Sequence, residues 1–395
     1  MGASMIAILI NSLAAGGAEK VVLHVTSELI KRGYKIKLIC IEQNQFYQSP
    51  DGVNIEYLSK NKGEEKGLLK FIKLPILAIK LFLLIKKHKI KVVQSHLFRA
   101  NYVNILSKFF GSKHQVQIVN TVSISAEYKN AGLPGKINIF LIRVLYPKAD
   151  LIIAKSKGML LDIDKYINFS KNKIIIYNPA QTKMIESKQK EKIDKNEFKF
   201  LSNKKYIITM ARMHPHKCID VLINAFSLIS KRCPDTDLIC LGDGNEKSRL
   251  ERLIADFNLS NRVHLPGQVQ NPYKYLAYSN FFVLPSSSEG FPNSIIEAMI
   301  CKLPVISTDC LSGPREIIAP NTDISIQNRS SIEYAEYGIL VPVNNSIVLA
   351  EAIENLLINK KLYLDYSEKG YLRAQDFSSD IIIDEYEKIL TQGKK

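Results

Sequence analysis

Apolar residues recur along this chain in short unbroken runs, and between the runs they fall back to a spacing of three and four. Runs at 5–10, 36–41, 92–93, 116–119, 151–154 and 174–177 read as buried strands of the first half. A second series at 206–210, 238–241, 263–265, 281–284, 305–307 and 339–341 repeats the rhythm. Strands alternating with helical patterns predict a parallel α/β sheet in each half. Residues 181–205, rich in Lys, Glu, Gln and Asn, read as a linker or surface excursion between the two. Two doubly wound domains would leave a cleft, and in such sheets ligands bind beyond the carboxyl ends of the strands.

With 395 residues, 46% of them hydrophobic and 23% charged, the chain is long enough for two domains with separate cores. Its charge is unevenly spread. Residues 1–180 hold 27 Lys and Arg against 11 Asp and Glu, whereas residues 181–395 hold 27 of each, so the whole net charge of +16 falls in the first half. The basic half expects an anionic partner: a membrane surface, a phosphate-bearing substrate or nucleic acid. The six cysteines form no CxxC pair and no secretory leader pattern opens the chain, which predicts a reducing, cytoplasmic setting.

Candidate chemistry concentrates at SSSEGFPNSIIEAM, residues 286–299, read as the end of a strand, a tight loop and the start of a helix. The free backbone N–H groups of Asn293, Ser294 and Ile295 would attract phosphate. Carboxylates beside a phosphate repel it, so Glu289 and Glu297 are better aimed at neutral hydroxyls on either side, as in a nucleotide sugar. After the strand at 206–210, Arg212 and Lys217 offer a planar fork and a point charge for diphosphate oxygens. Gly16-Gly17 follow the first strand, where glycine lets a backbone approach a ligand closely. They do not form GxGxxG, which disfavours a dinucleotide cofactor.

Together these stretches resemble glycosyltransferase family 4, retaining enzymes of the GT-B fold, over nearly the whole chain. Glu289 and Glu297 match the family's E-x7-E, Arg212 and Lys217 its diphosphate pair, and Gly16-Gly17 its first-loop glycines. Leu241-Gly242-Asp243-Gly244 and Ser312-Gly313-Pro314-Arg315-Glu316-Ile317 match two later loops. Leu145-Tyr146-Pro147-Lys148-Ala149-Asp150 and Asn271-Pro272-Tyr273-Lys274-Tyr275 are similar to bacterial transferases that add N-acetylhexosamine, N-acetylgalactosamine among them, to undecaprenyl-diphosphate-linked glycans.

The resemblance implies two Rossmann-like domains facing a central cleft. Residues 1–180 would take the acceptor, 181–375 the nucleotide-sugar donor, and 376–395 would form a helix returning to the first domain. Glu297 would hold the ribose hydroxyls. Glu289 would contact the transferred sugar and steady its oxocarbenium-like transition state, while Arg212 and Lys217 neutralise the departing diphosphate. The Gly290-Phe291-Pro292-Asn293-Ser294 turn would complete the donor site. The donor would be UDP-GalNAc or UDP-GlcNAc, with no cofactor and no metal. On that reading, Asp162-Ile-Asp164 and Asp235-Thr-Asp237 are surface acids rather than the metal-binding DxD of the other large glycosyltransferase fold. His96, in Gln94-Ser95-His96 after the strand at 92–93, would contact the donor sugar or the leaving phosphate, unless it is a satisfied structural histidine.

The stretch KGLLKFIKLPILAIKLFLLIKK, residues 66–87, puts Lys66, Lys70, Lys73, Lys80 and Lys87 on one stripe of a helix. Lys80 interrupts the apolar run short of the roughly 20 residues needed to span a bilayer. Such a helix would lie on an anionic membrane, with Arg99 also facing the acceptor, unless it is an ordinary amphipathic helix of the first domain. The enzyme would then be peripheral on the inner face of the plasma membrane, meeting a lipid-linked glycan acceptor there. A nucleic-acid partner is disfavoured, because aromatics do not interleave with the basic run and no recognised binding motif appears. Epimerisation of a nucleotide sugar on the same fold is the remaining alternative.

Overall fold

The run MIAILI forms β1 (Met5–Ile10), whose last five residues are buried. Burial from both sides is what a parallel sheet imposes, since every crossover lays a helix across one of its faces. β2 (Ile36–Cys40), β3 (Ile55–Tyr57), β4 (Ile90–His96), β5 (Gln115–Asn120), β6 (Leu151–Ala154) and β7 (Lys173–Ile175) complete the sheet. Their order is β3-β2-β1-β4-β5-β6-β7, with every pair parallel. This computed structural model describes residues 5–14, 16–49, 52–63, 69–167, 172–193 and 204–391.

The chain divides into two compact units, Met1–Pro179 with Asp380–Lys395, and Ala180–Ser379. In the first, Leu77, Leu81, Val103 and Ile142 pack helices Leu74–His88, Phe98–Lys108 and Gly132–Leu145 against one face of the sheet. Against the other face lie helix Gly17–Lys31, through Val21, Val22 and Val25, and helix Ser379–Thr391, through Ile382, Ile383 and Tyr386. Arg32 binds Asp384 and Glu387 of that last helix, each at 2.6 Å.

The second unit holds β8 (Lys205–Met210), β9 (Thr236–Leu241), β10 (Val263–Gly267), β11 (Phe281–Leu284), β12 (Val305–Thr308), β13 (Glu333–Tyr334) and β14 (Ile339–Val341). The order is β10-β9-β8-β11-β12-β14-β13, parallel except for the closing β13-β14 pair. Leu222, Phe226, Phe281, Val283, Ile306 and Ile353 form its core. Part of the expected linker belongs to this unit: Thr182–Lys188 is a helix with Ile185 buried, and Asn271 Nδ2 donates to the Lys188 carbonyl at 2.8 Å.

Several sequence expectations need correction. β4 runs to His96 rather than ending at Val93, because Gln94 and Ser95 are buried yet hydrogen-bonded to β5 and to Asn101, so polar residues continue the strand. Residues 66–87 are not one helix. Leu69–Ile72 and Leu74–His88 separate at Lys73, with Pro75 in the first turn of the second, where its missing N–H is harmless. Asp162 and Asp237 are buried, not surface acids, although Asp164 and Asp235 are exposed. Asp162 accepts from Ser123 Oγ at 2.8 Å and Ser125 N at 3.0 Å. Asp237 sits among Lys204, Arg262 and His264. Carboxylates go inside where partners replace water.

Candidate active site

The loops that follow β8, β11 and β12 come together at the carboxyl edge of the second sheet. Ser287 N donates to the His216 carbonyl at 2.9 Å, and Ser312 Oγ donates to the Glu289 carbonyl, so each loop holds the next. Within this frame Lys217 Nζ donates to Glu289 Oε1 at 2.6 Å, and the Glu289 side chain is only 9% exposed. The two residues assigned from sequence to opposite ends of a sugar diphosphate are therefore direct partners here. Arg212 is exposed on the same loop as Lys217.

Glycines make the loops fit. At Gly242, with φ +126°, a Cβ would stand 2.0 Å from the Ala211 carbonyl oxygen, and at Gly244 one would stand 2.2 Å from that of Met213. The loop after β9 therefore lies flat on the Arg212 loop, joined to it by Met213 N donating to the Asp243 carbonyl at 2.9 Å. Gly313, with φ +90°, faces Pro292 in the same way, a Cβ there meeting Pro292 Cδ at 2.4 Å.

Of the turn residues, Phe291 and Pro292 are buried, and the Phe291 ring packs on Phe377 with centroids 5.3 Å apart. They support the turn from below. Gly290, Asn293 and Ser294 are half-buried, and Asn293 opens helix Asn293–Ile300. Glu297, one turn into that helix, accepts from Tyr273 Oη at 3.4 Å. Glu289 and Glu297 thus flank one helix start, as their spacing predicts.

In the first unit, Gly16 caps the long helix Gly17–Lys31. Its extended φ of −168° suits any residue. The Glu19 carboxylate folds to within 2.2 Å of where a Cβ would lie, but it is the end of a flexible side chain that can swing aside. His96 ends β4, 1% exposed, with Nε2 3.1 Å from Gln94 Oε1 and Nδ1 without a partner among the described residues. Burial and the nearby Lys155 charge hold its pKa well below the usual imidazole value, so it is neutral. Leu97, immediately after, takes φ +74°, a conformation costly for a branched residue, and it turns the chain into helix Phe98–Lys108. Arg99 pairs with Glu42 and is mostly buried, so it does not belong to the lysine row.

Of that row, Lys66 lies outside the described residues. Lys70 is half-buried, Lys73 and Lys87 are exposed, and Lys80 Nζ donates to the Leu58 carbonyl at 2.8 Å. Leu74, Leu77, Ala78, Leu81 and Ile85 face the core, while the opposite side also carries apolar residues: Ile72 is 68% exposed and Leu83 55%, with Ile76 and Ile79 between them.

A family model described as Glycosyltransferase Family 4 matches residues 15–183, and one described as Glycosyl transferases group 1 matches residues 190–373. The chain is also 33% identical, over 94% of its own length and 94% of the other's, to N-acetylgalactosamine-N,N'-diacetylbacillosaminyl-diphospho-undecaprenol 4-alpha-N-acetylgalactosaminyltransferase of Campylobacter jejuni. The chain belongs to glycosyltransferase family 4. This glycosyltransferase has the GT-B fold: it superposes on sucrose-phosphate synthase from Thermosynechococcus elongatus with a TM-score of 0.82, at 18% identity, covering 98% of each chain. HepE of Anabaena, solved with UDP and glucose, matches with a TM-score of 0.78 at 18% identity, covering 98% of this chain and 99% of that one. Among the described residues of the glycosyltransferase, no helix is long and apolar enough to cross a membrane.

Sequence reading missed several residues that shape these sites. Ser312 and Tyr273, which lie in stretches the sequence did single out but to which it gave no role, hold Glu289 and Glu297. Lys155, at the end of β6, is fully buried and donates to Tyr386 Oη, and burial pushes its pKa down to about 7. A lysine one residue beyond an apolar run gives no hint of such burial. Only the return of the final helix supplies it.

Proposed function

We propose that this enzyme transfers N-acetylgalactosamine or N-acetylglucosamine from its UDP derivative to a lipid-diphosphate-linked glycan, with retention of configuration and without a metal ion. The observation that carries the reading is the Lys217–Glu289 pair beside a helix start, with Arg212 exposed on the same loop as Lys217. Arg212 and Lys217 neutralise the diphosphate as the glycosidic bond breaks, the role a metal takes elsewhere. The helix N-terminus at Asn293 and Ser294 adds backbone donors. Glu289, carried next to the leaving charge by Lys217, stabilises the electron-poor sugar carbon, and Glu297 binds ribose hydroxyls. His96 contributes a nitrogen acceptor to a substrate hydroxyl.

The C. jejuni relative, by its name, makes an alpha linkage to a diphospho-undecaprenol glycan. A UDP-N-acetylhexosamine is itself alpha-linked, so the same product here means retention. The basic first unit and the exposed apolar side of Leu74–His88, flanked by Lys73, Lys80 and Lys87, suit an anionic bilayer carrying that acceptor on the cytoplasmic face.

The test is to incubate purified enzyme with UDP-GalNAc or UDP-GlcNAc and an undecaprenyl-diphosphate glycan, with and without EDTA. An alpha-linked product at equal rates in both is expected. A beta product, rescue by Mn²⁺ after chelation, or release of a free epimer without transfer would overturn the reading.

A further inference from the structure

The ring of His96 is connected to the far end of the chain by an unbroken line of hydrogen bonds. Gln117 Nε2 donates at 2.8 Å to the carbonyl of Ile389, in the last turn of helix Ser379–Thr391. Gln94 Nε2 donates at 3.0 Å to Gln117 Oε1, and His96 Nε2 lies 3.1 Å from Gln94 Oε1. The partners are neighbours by register: Gln94 stands opposite Gln117 in the β4-β5 pair, and Gln94 and His96, two apart, share the sheet face covered by Ser379–Thr391. All three side chains are buried.

Glutamine amides and imidazoles are ordinarily ambiguous in orientation. Here one end of the line is a backbone carbonyl, which can only accept. Gln117 must therefore turn its NH2 toward Ile389 and its oxygen toward Gln94. Gln94 must in turn present its NH2 to Gln117 and its oxygen to His96, so the imidazole nitrogen at that contact must carry the proton. In a neutral ring this leaves Nδ1 as a bare lone pair, and Nδ1 is a buried atom with no partner among the described residues.

We propose that Gln94 and Gln117 are positioning residues which, anchored on the Ile389 carbonyl, lock His96 as its Nε2–H tautomer and reserve Nδ1 to accept a hydrogen bond from a substrate hydroxyl. The proposal rests on the reading of His96 as a substrate contact. It extends that role to two residues that touch no substrate and to a helix more than 270 residues along the chain from Gln117. Closure of the ring's other nitrogen by an amide oxygen is how proteins commonly fix an imidazole that must act through one face.

The experiment is a two-bond ¹⁵N–¹H correlation on full-length enzyme labelled at histidine, His96 being assigned by its absence in His96→Ala. The wild type at pH 7.5 should show His96 protonated at Nε2 alone, and Gln94→Leu should give a mixture of tautomers. A wild-type Nδ1–H form, or an unchanged tautomer in Gln94→Leu, overturns the relay. This measurement on the wild type decides the tautomer even if Gln94→Leu fails to fold.

Turnover separates positioning from general support. Gln94→Leu should lower kcat about tenfold or more in the wild-type background and leave the already slow His96→Ala enzyme unchanged. Equal losses in both backgrounds mean the glutamine acts on the fold and not through His96. Full activity in His96→Ala instead overturns the reading of His96 itself, a result the tautomer spectrum does not depend on.

Discussion

Lys217 Nζ donates to Glu289 Oε1 across 2.6 Å, joining the loop after β8 to the loop after β11. A cation proposed to meet a diphosphate is thus already engaged by the carboxylate proposed to act on the sugar. Glu289→Gln frees Lys217 from its counter-charge and removes a negative group from beside the phosphates. We expect UDP to bind as tightly as before or up to several-fold tighter, while turnover falls about 100-fold or more. Lys217→Ala should weaken UDP binding about tenfold or more, because it also leaves Glu289 unpaired. Calorimetry against UDP, with initial rates alongside, decides it: a Glu289→Gln enzyme that loses UDP affinity as badly as Lys217→Ala is inconsistent with the assigned roles.

Gly242 is required both by its φ of +126° and by the 2.0 Å approach of the Ala211 oxygen to any Cβ there. Gly242→Ala should cost the second unit about 1–3 kcal/mol and shift the Arg212 loop, so that melting temperature and UDP affinity fall together. Gly33→Ala serves as the reference, since Gly33 has φ +87° and nothing within 4 Å. It should lower stability without altering UDP affinity. If the two variants behave alike, the contact between the Gly242 and Arg212 loops does not position the site.

The exposed side of Leu69–Ile72 and Leu74–His88 should hold the enzyme on anionic vesicles by two separable means. Lys73→Glu with Lys87→Glu should reduce binding most at low salt, at about 1 kcal/mol per lysine removed from the surface. Ile72→Ser with Ile76→Ser should reduce it at all salt concentrations, because apolar contact is not screened. Neither pair touches the buried side of the helix, so melting temperatures should hold. Equal co-sedimentation of wild type and both double variants would leave this face without a membrane role.

Lys155 makes stability depend on pH. Its pKa is about 7 in the folded protein against an ordinary value of 10.5, so between these values unfolding takes up a proton that the native state lacks. Stability from this group is therefore lost as pH falls from 10.5 toward 7 and is level below that. Lys155→Met has no such proton. The melting temperature of the wild type relative to the variant should climb between pH 7 and 9, at no more than about 1.4 kcal/mol per pH unit. A difference that stays flat over this range would falsify the assignment. Working within that window avoids His96 and His114, whose pKa values burial lowers, the latter to about 4.

Much of the candidate site was legible because its chemistry is local. Glu289 and Glu297 sit eight apart on one turn and one helix, and Arg212 and Lys217 five apart on one loop, so spacing alone grouped each pair. Joining the two groups took the second sheet, whose β8-β11 pairing brings the loops side by side. What stayed illegible was long-range. Gln94, Ser95 and Gln117 broke the apolar signal of β4 and β5 because buried amides satisfy each other across strands, which no window along the chain can register. The edge strands β3 and β13 carry only three and two residues, too few for any periodicity. Asp237 looked like a surface acid because its partners Lys204, Arg262 and His264 are up to 33 residues away.

The helix Ser379–Thr391 closes a face of the first sheet over Val92, Val119 and Ile153, and it is made from the last residues of the chain. A ribosome delivers the first 179 residues long before it reaches residue 379. At the usual pace of synthesis the intervening 200 residues take about 10–40 s. Throughout that interval the earlier half has its strands but not its final cover, and its polar line from His96 ends at Gln117 with nothing to hold. The nascent chain therefore offers an open apolar surface to chaperones for as long as the second unit is being made. The line from His96 gains its backbone anchor only after Ile389 has been made.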